Sequence, residues 1–202
     1  FGSAGLKISG DLTNTEGVDY AFGVGADNVA RGKHVFQIGA TTSDGVPNAF
    51  FARATITAAD VSGITSLLFG FRKVQAFQTA VTGYTDLCAV GLVATDGEIK
   101  VRTRLNNGTA VVTDTTLDWA DGETKILSVQ VRMDGKARVV ILPSTSATAA
   151  PTIAAFPTFT FDVDDYVIPF LDLLHATTSP GLITISNFEC GFMMDNSVDV
   201  TV

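Results

Sequence analysis

The stretch from Trp119 to Pro143 constrains the fold of this chain more than any other. It reads Trp-Ala-Asp-Gly-Glu-Thr, then Lys-Ile-Leu-Ser-Val-Gln-Val-Arg, then Met-Asp-Gly, then Lys-Ala-Arg-Val-Val-Ile-Leu-Pro. Leu127, Val129 and Val131 alternate with Ser128, Gln130 and Arg132, the period of a strand with one buried face. A two-residue loop at Asp134 and Gly135 would set Val131 opposite Arg138 and Val129 opposite Val140, which forces charge into the apolar face. A three-residue loop of Met133, Asp134 and Gly135, with Gly135 as the left-handed residue, pairs Val131 with Ala137, Val129 with Val139 and Leu127 with Ile141. It also stacks Arg132 on Lys136 and Gln130 on Arg138, so the outer face is polar throughout. The pattern predicts a hairpin and its register together.

The rest of the chain reads as strands of the same kind. β-rich or alternating runs cover Leu6 to Ser9, Val18 to Val24, His34 to Ile38, Ala49 to Ile56, Ser66 to Phe77, Cys88 to Thr95, Glu98 to Leu105 and Thr109 to Thr113. Beyond the hairpin they resume at Thr158 to Val163, Val167 to Leu174 and Leu182 to Met193, most of them bounded by Gly, Asp, Asn, Ser or Pro. Short helical turns are expected only at Ala58 to Ser62 and around Leu171 to His175. Pro143 to Pro157 is a polar connection, an exposed loop rather than a linker. At 202 residues the chain suits a single domain, residues 1–202, with about a dozen strands in an antiparallel all-β sandwich.

Two strands change phase. The apolar face of Ser66 to Phe77 passes from Leu67, Phe69 and Phe71 to Val74 and Ala76, which predicts a bulge at Arg72 and Lys73. Ile183 and Ile185 give way to Phe188, Cys190 and Phe192, which predicts a second at Ser186 and Asn187. Bulges let long strands curve, and long curved strands suit a jelly roll whose two sheets close on one core.

Charge and composition exclude several functions. A formal charge of −8 opposes nucleic-acid binding, because phosphate recognition draws its affinity from clustered Lys and Arg. The nearest thing to a basic patch is Lys100, Arg102 and Arg104 on one strand face, read as a solvated outer face that could also meet an acidic neighbour in an assembly. No run approaches the ~18 consecutive apolar residues of a membrane span, and no basic-then-apolar leader opens the chain, which begins at Phe1 as a processed, truncated or partial product would. With 46% apolar and only 17% charged residues the chain has little charged surface, so part of its apolar surface is expected to face a partner. Cys88 and Cys190 sit among apolar neighbours on strands and read as free, buried thiols.

The chemistry-bearing residues point the same way. His34 and His175 are the only histidines, and neither lies in a nucleophile motif. The run Asp162, Val163, Asp164, Asp165 lacks the Glu pair of a sandwich glycosidase and reads as an acidic turn. Asp114, Asp118 and Asp121, or Asp162, Asp164 and Asp165, could supply oxygen to calcium, but neither set follows the Asp-x-Asp-x-Asp-Gly loop pattern. Trp119 reads as a structural plug beside the hairpin. Asn107-Gly108-Thr109 reads as a turn before it reads as a glycosylation sequon. This reading assigns no catalytic, cofactor-binding or metal-ligating residue.

The Trp-x-Asp-Gly-Glu-Thr lead-in at Trp119, the alternating strand, the tight Asp-Gly turn and the returning strand resemble the central unit of concanavalin-like (laminin-G-like) jelly-roll sandwiches. That resemblance implies a last strand, Leu182 to Phe192, returning beside the segment around Leu6. The whole chain is also similar in style to small proteins of tailed bacteriophages: acidic, Gly-, Thr- and Ala-rich, and poor in His and Trp. This likeness implies a non-enzymatic virion role, capsid decoration, cement or head fibre. The expected partners are the major capsid protein or sister subunits, the expected site is the capsid surface, and the protein would self-associate in the assembly. A carbohydrate-binding module displayed for host attachment is the alternative.

Overall fold

Each apolar run has one face to hide, and the chain hides them by laying two antiparallel sheets face to face. The computed structural model describes residues 6–8, 17–21, 35–39, 49–142, 150–176 and 183–193. Within them run β1 (Leu6–Ile8), β2 (Gly17–Ala21), β3 (Phe36–Gln37), β4 (Ala49–Ala58), β5 (Ile64–Lys73), β6 (Leu87–Leu92) and β7 (Glu98–Arg104). There follow β8 (Val111–Asp118), β9 (Thr124–Val131), β10 (Ala137–Leu142), β11 (Thr152–Ile153), β12 (Tyr166–His175) and β13 (Ile183–Met193). A six-stranded sheet has the order β1-β13-β4-β9-β10-β11; a seven-stranded sheet has the order β2-β12-β5-β6-β7-β8, with β3 also on β12.

The hairpin adopts the predicted register. Val131 faces Ala137, Val129 faces Val139 and Leu127 faces Ile141. Gly135 has φ +82°, and its N–H donates to the Arg132 carbonyl at 2.9 Å. Beta-carbon growth at Gly135 would meet the Phe161 carbonyl oxygen at 2.2 Å, so the turn needs glycine both for its conformation and for the close approach of a neighbouring loop. The last strand returns beside the first, Ile185 opposite Leu6.

The core lies between the sheets. Phe50 on β4 stacks on Phe36 of β3 with centroids 4.6 Å apart, and Phe71 of β5 meets Phe50 edge-on at 5.1 Å. Aromatic contacts of this kind add roughly 0.5–1.5 kcal/mol each beyond area burial, and these bridge the two sheets. Trp119 is 1% exposed, and its indole N–H donates to the Glu123 carbonyl at 2.9 Å. It is the plug the sequence suggested.

Pro169 divides one flank of the seven-stranded sheet. β3 pairs with Tyr166 and Val167, whereas β2 pairs with Phe170 to Leu174. Proline has no N–H to give a ladder, so it suits the gap between two short partners.

Several expectations are corrected. The bulge at Ser186 and Asn187 is present as a register shift between Ile185 and Asn187. Arg72 and Lys73 are regular ladder residues, and the phase change there reflects the end of β5, because residues beyond Lys73 leave the sheet as a long connection. Residues 171–175 are strand, and 59–63 form bends and turns. The one 3-10 turn among the described residues is Val81–Gly83. Thr158 to Val163 contributes a single bridge, Thr160 to Lys136. Both cysteines are free, Cys88 buried and Cys190 partly so. His34 and residues 143–149 of the polar connection lie outside the described residues.

Candidate functional site: the loop end of the seven-stranded sheet

Hydrogen bonds tie several connections together at the end of the sandwich where the hairpin turns. The Phe161 N–H donates to the Gly135 carbonyl, Asp164 N–H to Ile38, Ile38 N–H to Asp165, and Lys73 N–H to Asp86. Asn106 joins two of them, its N–H donating to Asp86 at 2.7 Å and its Nδ2 to Asp162 at 2.8 Å. Asn106, Asn107 and Asp164 all have positive φ, 51°, 58° and 70°. Non-glycine residues occupy that region at a cost, and such strain gathers where surrounding structure holds it in place.

Lys73 is the charge at the centre of this network. Its ammonium lies 2.6 Å from Asp165 and 4.0 Å from Asp86, which is 1% exposed. Burial alone would lower the Lys73 pKa, but the hydrogen bond and charge of Asp165 outweigh it and the net shift is upward. Arg104 is the second fastening. Its guanidinium donates to the carbonyls of Thr82, Tyr84, Asn107 and Gly108 and to Asn107 Oδ1. It thereby pins the β5–β6 connection to the β7–β8 turn. Between them lies an open depression of about 490 Å³ lined by Thr82, Arg104, Asn107, Gly108, Thr109 and Ala110.

The side chains presented outward here suit recognition by hydrogen bonding and stacking. Thr82, Asn107, Thr109, Asp162 and Asp164 are exposed, and so is Tyr166 at 47%. The β5–β6 connection also folds back over its own sheet. Val81 and Tyr84 pack on Leu68, Leu87, Ala89 and Phe170 as a second small core, and Arg72 lies over the Tyr84 ring at 4.2 Å. The Tyr84 hydroxyl donates to Asp19, and burial, reinforced by that bond, pushes the phenol up to about 12. On the same face Ser66 donates to Asp172 at 2.9 Å. Burial pushes the Asp172 carboxyl up to about 6, with Ser66 opposing and the charge of Asp19 adding to it.

The residues singled out in the sequence are dispersed. Asp162, Asp164 and Asp165 serve three different partners, Asn106, Gln37 and Lys73. Asp114 accepts the Thr116 N–H and Asp121 the Val61 N–H, both at 2.8 Å, while Asp118 stands opposite Glu98. Among the described residues, no group of three or more His, Cys, Asp or Glu is arranged to hold a metal ion. The basic stripe is not the solvated face expected of it. Lys100 is held by Asp96 and Glu98, Arg104 by carbonyls, and Arg102 is half-buried. His175 is 1% exposed and, among the described residues, has no hydrogen bond to either ring nitrogen. Sequence reasoning missed Tyr84 and Asp172, and it noted Arg104 only as part of a basic stripe, not as a fastening between loops. A lone acid within the apolar run Tyr166 to His175 was the available signal for Asp172.

Two antiparallel sheets with this strand order, closed by the first and last strands, define a concanavalin-like jelly roll. The solved structures similar to it include lectin domains. A legume lectin-like domain from Entamoeba histolytica is 8% identical with a TM-score of 0.60, the match covering 94% of this chain and 84% of that one. The lectin UEA-II, solved with galactose, is 13% identical with a TM-score of 0.50, covering 93% and 98%. A protein of unknown function from Shewanella oneidensis MR-1 is 13% identical with a TM-score of 0.48, and the chain spans 58% of its length. No family model and no curated protein matches the sequence. At such identities the likeness establishes the fold.

Proposed function

We propose that this chain is a non-catalytic recognition module that binds carbohydrate through the loop end of its seven-stranded sheet. The observation that carries the reading is the concentration there of exposed planar polar groups, Asn107, Asp162 and Asp164, with an exposed aromatic ring, Tyr166. Amide and carboxylate groups meet sugar hydroxyls as donor and acceptor, and rings stack on the apolar face of a pyranose. The Lys73 and Arg104 networks hold the backbone beneath them, so little ordering cost falls on binding. A glycan array followed by calorimetry tests this. Asn107→Gly, which keeps the left-handed turn, and Tyr166→Ala should each weaken binding at least about tenfold, a loss of ~1.4 kcal/mol, with the melting temperature near wild type. Arg53→Gln on the six-stranded sheet should not. No binding to any glycan, or equal binding by all three variants, refutes the reading.

A second reading places the module on a viral shell as a decoration or cement protein, associated with capsid or sister subunits. What favours it is the edge strand β8, where Val111 and Val112 are 43% and 45% exposed and available to a neighbour. Co-sedimentation with particles, and mass spectrometry of purified virions, decide it. Absence from both overturns it.

A further inference from the structure

Asp19 on β2 and Asp172 on β12 are directly opposed across the edge of the seven-stranded sheet. Opposed residues share a face with β-carbons ~4.5–5.5 Å apart, and like charges so placed weaken a strand pair. Among the described residues neither carboxyl closes an ion pair. Asp172 has one hydrogen bond, from Ser66, and Asp19 has one, from Tyr84. Among the described residues, Asp172 is faced by Asp19 from β2, Ser66 and Leu68 from β5, and from β7 by Arg102 and by Lys100, which the register aligns with it through Leu68 and Gly91 and which is paired with Asp96 and Glu98. Arg102 attracts Asp172 through space from a strand three positions away in the sheet order. Tyr84, from the β5–β6 connection, faces Asp19 and is itself capped by Arg72.

These contacts form a chain from the sheet edge to the loops. Asp172 neighbours Asp19; Asp19 anchors the Tyr84 hydroxyl; and Arg104, which also binds the β7–β8 turn, takes the backbone carbonyls of Thr82 and Tyr84. A change at the carboxyl pair therefore has a physical route to the depression described above.

We propose that Asp172 and Asp19 form a proton-operated latch: with one proton on the pair, β2 is held on β12 and Tyr84 is anchored, and with both groups ionised β2 loosens and the β5–β6 connection is released. The proton comes from solvent and returns to it, and no other reactant is needed. Burial sets the Asp172 transition near 6, so the latch closes in mild acid and opens toward neutrality. The functional consequence, regulation of the loop site, rests on the carbohydrate reading; the latch does not.

Hydrogen exchange of the full chain without ligand, read at about pH 5 and about pH 7.5 and corrected for intrinsic exchange rates, tests the latch. Wild-type protection of residues 17–21 should fall at least about tenfold between the two conditions, with a smaller fall across residues 74–86. Asp172→Asn and Asp19→Asn each remove the second charge and should retain the acid-state protection at both pH values. Carboxyl-carbon titration of the wild type gives an independent readout that needs no variant, with the Asp172 midpoint expected near 6. Equal wild-type protection at both pH values, a pH-dependent loss that persists in Asp172→Asn, or an Asp172 midpoint in the ordinary carboxylate range overturns the proposal. If the latch operates but no glycan binds, the carbohydrate reading alone fails.

Discussion

Lys73 and Asp165 close the loop end of the sandwich with a 2.6 Å ion pair, and the same ammonium lies 4.0 Å from the buried carboxylate of Asp86. Removing one partner of a buried pair costs more than the pair contributes, because the remaining charge is left without compensation. Asp86 is buried but the Lys73 side chain is 34% exposed, so solvent screening reduces the loss and Lys73→Met should destabilise the protein by about 1–2 kcal/mol, measured by urea unfolding near neutral pH. An effect below about 0.5 kcal/mol would show that solvent screens this network as it does a surface pair.

The turn glycines differ in what surrounds them. Gly122 and Gly135 both have positive φ, 74° and 82°, but a β-carbon at Gly122 meets nothing within 4 Å, and one at Gly135 strikes the Phe161 carbonyl. Gly122→Ala should cost about 1–2 kcal/mol, from backbone strain alone. Gly135→Ala should cost clearly more, since the Phe161 loop must move as well. Paired thermal melts check the order, and equal costs would contradict the close approach.

The Trp119 indole fills space and makes one hydrogen bond, to the Glu123 carbonyl. Trp119→Phe leaves a void and an under-satisfied Glu123 carbonyl, so about 2–4 kcal/mol should be lost. Binding measured on the folded fraction should not change, because the indole is buried away from the loop end. Calorimetry on purified variant separates these outcomes.

His175 is a neutral ring in an apolar setting. Burial lowers its pKa below the ordinary 6.5, with the nearby Gly63 backbone opposing. The unfolded chain then takes up the proton first, so this residue makes stability fall as pH drops below about 6.5. Asp172 works in the opposite direction. Its raised folded-state value gives stability that is full below the ordinary 3.8 and lost as pH rises through about 6. His175→Leu should gain about 1 kcal/mol at neutral pH by removing unsatisfied nitrogens, and the gain should widen at pH 5. Asp172→Asn should flatten the opposite slope. Urea unfolding across pH 4.5 to 7.5 reads both, and parallel curves for wild type and variants would refute the assignment.

The hairpin was legible because local arithmetic decides it. A period of two leaves one register that keeps Arg138 out of the core, and Gly135 marks the turn. The closing of β13 on β1 followed from the family resemblance, and the irregularity at Asn187 from a phase change that a buried strand cannot hide. The same phase argument failed at Lys73, because the end of a strand and a bulge within it produce the same shift in sequence. The candidate site was far less legible. Arg104 acts through backbone carbonyls of residues 82 and 84, and carbonyls carry no side-chain signature. Lys73 meets Asp165 across 92 positions, and nothing local couples them. Asp172 stands out only once its strand is known to be covered on both faces.

The break at Pro169 has a mechanical consequence. Because β2 and β3 share β12 without touching the same residues, force or heat that peels β2 stops at the proline and leaves β3 with its loop contacts in place. The sheet margin behaves as two independent flaps, one able to open as the pH rises toward neutrality while the other continues to brace the loop end.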